Sequence, residues 1–207
     1  MADETTVVVD YGVGNVRSIL TMLRRIGTPA LASRDVAAIA RATRVIIPGV
    51  GAFDTAMRLL DEVGVRDVLD EVATERKVPV LGICLGMQLL GRSSEEGSLP
   101  GLGWIPADTK RIPAGAGLRV PHMGWNEVLP TAPNPLFDVR TDPDRFYFVH
   151  SYAVVCDDED NVLATTRHGI EFAAAVRADN IFGVQFHPEK SHRYGLELLR
   201  RFTSLTP

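Results

Sequence analysis

An apolar run, Val78-Pro79-Val80-Leu81, passes directly into Gly82-Ile83-Cys84-Leu85-Gly86, and the helix-like stretch Leu85-Gly86-Met87-Gln88-Leu89-Leu90 follows. No other feature narrows the possible folds so far. Glycine-x-Cys-x-glycine between a buried strand and a helix reads as a nucleophile elbow. Its glycines permit a sharp strand-to-helix turn that lifts the central side chain out of the sheet. The sulfur then lies at a helix N-terminus, where free backbone N–H groups and the helix dipole favour the thiolate over the thiol. The alternative is a buried structural cysteine, against which the glycines and the strand–turn–helix context weigh.

The segments around the elbow repeat the same alternation. Thr6-Val7-Val8-Val9 is a short β-branched run, and Asn15 to Ile26 carries Val16, Ile19, Leu20, Leu23 and Ile26 at helical spacing. Arg44-Val45-Ile46-Ile47 is a second buried strand, followed by helices over about Phe53 to Val63 and Val65 to Glu75. Continuous apolar strands separated by amphipathic helices indicate an α/β fold with a mostly parallel central sheet flanked by helices. After about residue 102 the pattern turns β-rich, with strands expected at Gly117 to Val120, Phe146 to Val155, Val162 to Thr166, Phe172 to Arg177 and Ile181 to Phe186. A final amphipathic helix spans Ser191 to Leu205, and Pro113 to Gly117 reads as a mobile turn. With 207 residues and no repeat, linker or low-complexity stretch, residues 1–207 are expected to form one domain.

A nucleophilic thiol needs a base. Of the five histidines, His187 ends the apolar run Ile181 to Phe186 and opens His187-Pro188-Glu189. In extended backbone, residues two apart share a face, so Glu189 can meet His187 around the rigid Pro188. A carboxylate beside an imidazole fixes its tautomer and stabilises the imidazolium. Taken alone, His-x-Glu is more often a strand-end histidine with a solvated neighbour; beside the elbow it becomes a base and its orienting acid. Ligands of open parallel sheets bind beyond the carboxyl ends of the strands. Pro48-Gly49-Val50-Gly51 follows one such strand, so Val50 and Gly51, with the Leu85 N–H, are assigned as an oxyanion hole. A glycine pair that merely turns the chain is the alternative.

Other motifs are excluded. Gly12-Val13-Gly14 lacks the third glycine of a dinucleotide fingerprint, because Arg17 stands there. His187, Glu189 and His192 fit no zinc spacing, and no metal or cofactor is expected. His168 and His192 read as solvated surface residues; His150 either supports a pocket or caps a strand. The net charge of −4 argues for neither nucleic acid nor an anionic membrane. No apolar run is long enough to span a bilayer. Met1 to Thr5 lacks the basic segment and apolar core of a secretory signal. Two cysteines, Cys84 and Cys156, suit a reducing cytoplasm.

With these residues in place, the chain resembles the class I, triad-type glutamine amidotransferases, and most finely the glutaminase subunits of imidazole glycerol phosphate synthase. The resemblance runs over essentially the whole chain. It is carried by Asp10 to Asn15, Pro48 to Phe53, Gly82 to Gln88, Pro121-His122-Met123-Gly124-Trp125-Asn126, Tyr147 to Tyr152 and Gln185 to Ser191. The elbow and the His-Pro-Glu element identify the broad class; the Gly-Val-Gly-Asn opening and the Pro121 to Asn126 stretch select the histidine-pathway branch.

The resemblance implies a catalytic triad of Cys84, His187 and Glu189 and a glutamine site formed by Gln88, Glu96 and the Ser151-Tyr152 backbone. It also implies an oxyanion segment that changes conformation between inactive and active states. Glutamine would pass through a cysteine thioester to glutamate and ammonia. The ammonia would go to a separate (β/α)8-barrel cyclase, held as a heterodimer, that makes imidazole glycerol phosphate and aminoimidazole carboxamide ribotide. Candidate docking residues are His122, Met123, Trp125, Asn126, Tyr147 and Lys190, since Trp, Met and Tyr are enriched at interface cores. The alternative is that Met123 and Trp125 are ordinary core residues; without the resemblance, Gln88 and Glu96 read as ordinary surface polar residues. Rival assignments are the glutaminase of another pathway, a free-standing glutamyl hydrolase, and a cysteine redox or chaperone-like protein on a related fold.

Overall fold

A computed structural model of the chain describes residues 5–115, 118–139 and 142–206. Residues 1–4, and residues 116 and 117 of the expected mobile turn, lie outside this set. The first half alternates as its hydrophobic pattern requires: β1 (Thr6–Val9), α1 (Val16–Arg25), β2 (Ala30–Ser33), α2 (Val36–Ala40), β3 (Arg44–Gly49), α3 (Phe53–Glu62), α4 (Arg66–Asp70), β4 (Val80–Cys84) and α5 (Leu85–Leu89). Residues Glu71–Glu75 continue α4 as a π-helical turn. There follow β5 (Ser93–Ser94), β6 (Ala107–Arg111), β7 (His122–Pro130), β8 (Asp144–His150), β9 (Tyr152–Cys156), β10 (Val162–His168), β11 (Ile170–Ala178), β12 (Ile181–Val184) and α6 (His192–Thr203).

Nine strands form one sheet in the order β2-β1-β3-β4-β12-β11-β10-β7-β8, and β5-β6-β9 form a second. The block from β2 to β12 is parallel; β12 to β8 is antiparallel. Successive strand residues point to opposite faces, which divides the core in two. Val7, Val9, Val45, Ile47 and Val80 pack on one face with α3 and α4. Val8, Ile46, Leu81 and Ile83 pack on the other against Ile19 and Leu23 of α1 and Leu198, Leu199 and Phe202 of α6. Arg24 and Arg25 close α1, where cations complement the helix dipole. Among the described residues, no helix is long and apolar enough to cross a membrane.

The expected α/β architecture is present, with several local differences. The run expected as one strand from Phe146 to Val155 is two, β8 in the large sheet and β9 in the small one. The chain changes sheets at Ser151, whose carbonyl accepts the Ile112 N–H at 2.9 Å. The strand expected at 117–120 is not formed: residue 117 lies outside the described set, and Leu118 makes only an isolated bridge with Gly115. The elements β2, α2, β5, β6 and β7 add to those that the hydrophobic pattern predicts. Each is short or only partly apolar: β2 is a half-exposed edge strand, α2 is a single short helical turn, and β6 is mostly polar.

Close backbone approach pins the elbow. A Cβ added at Gly86 would stand 1.9 Å from the Ile47 carbonyl oxygen, one at Gly82 would stand 2.5 Å from the Gly86 carbonyl, and one at Gly49 2.5 Å from the Gly86 nitrogen. Backbone on both sides leaves no flexible side chain to yield. Gly86→Ala is therefore expected to cost about 2 kcal/mol or more, a fall of roughly 5 °C in melting temperature. Thermal denaturation followed by circular dichroism checks this; an unchanged midpoint would mean that α5 is free to slide away from β3.

Candidate active site

The last residue of β4 is Cys84, with φ 56° and ψ −112°. This left-handed backbone is unusual for a non-glycine residue and costs energy that the surroundings must hold. It breaks the strand and starts α5 at once, so the Leu85 N–H is the first of a helix and has no partner within it. Cys84 is almost buried, at 6 % exposure, and lines a pocket of about 320 Å³. Ten residues named from the sequence line that pocket: Val50, Gly51, Cys84, Leu85, Gln88, Glu96, Ser151, Tyr152, His187 and Lys190. Pro121, Val149 and His150 complete it.

β12 runs parallel to β4 with Val184 opposite Ile83. The chain beyond β12 therefore leaves the sheet beside Cys84 and brings His187 to the pocket. His187 Nδ1 lies 2.8 Å from Glu189 Oε1, and both side chains are buried. Nε2 has no hydrogen-bond partner of normal geometry among the described residues, yet the ring is close enough to Cys84 to couple electrically. Burial is the largest single influence and pushes the imidazole down. Hydrogen bonding and charge from Cys84 and Glu189 outweigh it together and raise His187 to about 9. Glu189 stands behind His187 rather than in the pocket wall.

Glu96 projects from the segment after β5. Its Oε2 accepts the Phe53 N–H at 2.9 Å, at the start of α3 and three residues beyond Val50. Asp54 holds the same segment, accepting from the N–H groups of Ser98 and Leu99 at 2.9 and 3.0 Å. Val50 is exposed and Gly51 has φ +98°. Sequence reasoning missed Tyr11, which is fully buried and donates its hydroxyl to the Pro48 carbonyl at 2.6 Å, anchoring the base of this turn. Burial first, then the nearness of Cys84, pushes the Tyr11 phenol well up. It also missed Gln185, fully buried, whose Nε2 donates to Cys84 Sγ at 3.8 Å and whose Oε1 accepts from Gln88 at 3.1 Å. Both lie inside motif stretches, but nothing in their spacing announces a contact.

The candidate docking residues divide. Met123 and Trp125 are 61 % and 41 % exposed on β7, which sets aside the alternative that they are core residues. Trp125 stacks on His192 at 5.5 Å and meets Tyr147 of β8 edge-on at 6.3 Å. Lys190 Nζ lies 5.6 Å over the Tyr147 ring and also lines the pocket, so this face and the pocket are continuous. Asn126 is half-buried. His122 is 3 % exposed and lies under the face rather than on it: it points to the opposite side of β7 and packs on Phe148 and His168. His168 is correspondingly half-buried and not a solvated residue, its Nε2 donating to the Arg119 carbonyl at 2.7 Å.

Burial, and then the neighbouring histidines, push His122 down to about 3. Burial likewise takes His150 down to about 4, against a hydrogen bond to the Tyr152 carbonyl. Both folded-state values lie below the ordinary 6.5, so the folded protein refuses protons that the unfolded chain accepts. Stability from these rings is fully present above about pH 6.5 and is lost as pH falls toward 4, with a slope of about 1.4 kcal/mol per pH unit for each. His187 has the opposite sign: its contribution is present below about pH 6.5 and lost as pH rises through about 9. Urea titrations between about pH 7 and pH 4.5 are expected to show a shallower acid slope in His150→Phe than in the parent. Equal slopes would mean that the ring is protonated in the fold.

Known proteins resemble this chain in sequence and in fold. The family model described as Glutamine amidotransferase class-I matches residues 7–204. The chain is 49 % identical over 199 residues to imidazole glycerol phosphate synthase subunit HisH 2 of Pseudomonas aeruginosa, covering 96 % of this chain and 98 % of that protein. It is 50 % identical over 195 residues to subunit HisH 2 of Methanococcus maripaludis, covering 94 % and 96 %. Among solved structures, a crystal structure of a glutamine amidotransferase superposes with TM-score 0.73 at 23 % identity, covering 96 % of this chain and 97 % of that one. The structure of PurLQS from Thermotoga maritima gives 0.73 at 17 % identity, covering 97 % and 98 %. At those identities the structural likeness shows the fold alone.

Proposed function

The chain belongs to the class I glutamine amidotransferases, in the branch of HisH subunits of imidazole glycerol phosphate synthase, and we propose that it hydrolyses glutamine through a Cys84 thioester and passes the ammonia to a separate cyclase subunit. One observation carries the chemistry. A cysteine on a strained strand-to-helix elbow shares a pocket with His187, whose ring is backed by the buried Glu189 carboxylate.

Each step follows from a named group. Cys84 Sγ attacks the side-chain amide carbon of glutamine, and the carbonyl oxygen becomes an oxyanion. The Leu85 N–H, with the Val50–Gly51 segment, supplies donors there. His187, charged well above neutral pH, delivers a proton to the nitrogen as the C–N bond breaks, and ammonia leaves. Water then gives a proton to the same imidazole and attacks the thioester, releasing glutamate and restoring the thiol. Glu189 orients the ring through Nδ1. Glu96 keeps one carboxylate oxygen for the α-ammonium of glutamine while the other holds α3. Gln88 and the Ser151-Tyr152 backbone border the substrate's amide and head group.

Ammonia released here is lost or protonated unless a synthase covers the site. The exposed Met123, Trp125 and Lys190, with half-buried Tyr147 between them and continuous with the pocket, form the face for that partner, a (β/α)8-barrel in this reading. Histidine biosynthesis in the cytoplasm is the setting that the family membership implies.

The primary test is glutamate release from glutamine by the purified chain, alone and with the cyclase and its nucleotide ligand. Strong activation in the complex is expected; full activity alone would indicate a free-standing hydrolase. Cys84→Ala is expected to abolish glutamine-dependent synthesis by the complex and to leave synthesis from added ammonia intact, and loss of both would overturn the separation of the two sites. Trp125→Ala is expected to weaken the complex about tenfold or more with little change in melting temperature. The converse, a collapsed melting temperature with unchanged affinity, would remove Trp125 from the docking face.

A further inference from the structure

Beneath the exposed face of β7 lies a chain of polar groups whose outer members, Asn126, His122 and His150, the proposed chemistry does not use. Asn126 Nδ2 lies 3.2 Å from His122 Nε2, His122 Nδ1 lies 3.0 Å from His150 Nε2, and His150 Nδ1 lies 2.7 Å from the Tyr152 carbonyl. β7 and β8 create the middle contact, since their antiparallel register sets His122 directly opposite His150. The Tyr152 carbonyl also accepts from Gln88 Nε2 at 3.2 Å, which donates its other proton to Gln185, and Gln185 donates to Cys84 Sγ.

Backbone groups fix the direction of every bond in the chain. A carbonyl can only accept, so His150 carries its proton on Nδ1, and its Nε2 is an acceptor in the neutral ring. His122 must then donate from Nδ1 and accept at Nε2. Asn126 presents the matching N–H, its amide orientation set by donation to the Arg167 carbonyl at 2.8 Å and by acceptance of the Glu127 N–H at 2.9 Å. One proton arrangement satisfies all the groups at once. After burial, His150 and His168 push His122 toward the neutral form, and His168 and His187 push His150 the same way.

We propose that Asn126, His122 and His150 form a polarised hydrogen-bond relay that positions the Tyr152 carbonyl and, through it, Gln88 and Gln185 beside Cys84, so that the β7 face and the glutamine pocket share one network. The proposal rests on the glutamine reading above. His150 and His122 are positioning residues in it. Reversing the relay at its outer end moves the pocket, because an acceptor at 126 requires a proton on His122 Nε2 and takes the Nδ1 donor away from His150 in the neutral ring.

Two measurements on the full chain test this. The first is the nitrogen-15 spectrum of histidine-labelled protein: two rings are expected to be neutral and protonated on Nδ1 from about pH 7 to pH 5. In Asn126→Asp, the His122 signals are expected to move to the neutral Nε2–H form; a retained Nδ1–H would overturn the relay. The second compares Cys84 alkylation by a chloroketone analogue of glutamine, which must occupy the pocket, with alkylation by iodoacetamide, which need not. In Asn126→Asp and His150→Phe the analogue is expected to react about tenfold more slowly, the scale of one lost hydrogen bond, with the iodoacetamide rate within about twofold. Phenylalanine keeps a ring of similar shape, so packing survives.

An Nε2–H tautomer on His150 in the parent, an unchanged analogue rate, or equal losses with both reagents would overturn the relay. If the parent chain itself reacted no faster with the analogue than with iodoacetamide, the glutamine reading would fall, and the tautomer measurement would still decide the relay.

Discussion

The left-handed backbone at Cys84 is the constraint from which the site takes its shape. A side chain at φ 56° and ψ −112° relaxes to ordinary strand or helix geometry unless its neighbours forbid it. Here they forbid it by contact. β3 passes so close to α5 that Gly49 and Gly86 have no room for a Cβ, and Gly82 sits under the first turn of the same helix. The parallel pairing of β3 with β4 runs up to Gly49 opposite Cys84, so the sheet ends where the helix begins. The strain is supported by rigid backbone on two sides, and the sulfur cannot withdraw into the strand.

The rest of the pocket is tied to this point by polar groups that meet their partners across long stretches of sequence. Glu96 and Asp54 join the segment after β5 to the first turn of α3, and Tyr11 holds the Pro48 carbonyl at the foot of the Val50–Gly51 turn. The candidate oxyanion segment is thus anchored at both ends, by Tyr11 before it and by Glu96 after it, with exposed Val50 and Gly51 between. A substrate ammonium drawn to Glu96 would act on the carboxylate that also holds the Phe53 N–H, so substrate and turn meet at one group. Buried donors and acceptors without partners are costly, which is why anchors of this kind recur at each mouth of the pocket.

What the sequence disclosed was local. The elbow, the His187-Pro188-Glu189 turn and the strands β1, β3, β4 and β12 each lie within a few residues of one another and obey simple periodicities. What it withheld depends on register between distant strands. β7 alternates exposed Met123, Trp125 and Leu129 with inward His122 and Val128, but a histidine and a glycine among the inward positions blur the alternation. Without β7 there is no cross-strand pairing of His122 with His150, and His122 reads as a surface contact. The break at Ser151 was hidden for a related reason: Phe146 to Val155 is uniformly strand-like, and only the small second sheet draws its latter part away. β2 and β6 are short and partly polar, and they are strands because a neighbour offers its edge.

Two buried histidines that line the same pocket show how completely the partner decides the charge. His187 has a carboxylate at Nδ1 and the Cys84 sulfur near its other side, and it is held protonated to about 9; His150 has a carbonyl at Nδ1 and an imidazole at Nε2, and it is driven down to about 4. Desolvation opposes the charge in both rings and is the largest influence on each. Only a full negative charge overcomes it; a carbonyl dipole does not. The difference matters for the hydrogen bonds as well as for the charge. A protonated His150 would present N–H at both nitrogens and set a donor against the Nδ1 donor of His122, breaking the one arrangement in which every group from Asn126 to the Tyr152 carbonyl is satisfied. A pocket that keeps one imidazole charged to move protons must therefore keep the neighbouring one neutral. Cys84 and Glu189 together hold the charge on His187, and that charge, after burial and beside His168, pushes His150 toward the neutral form.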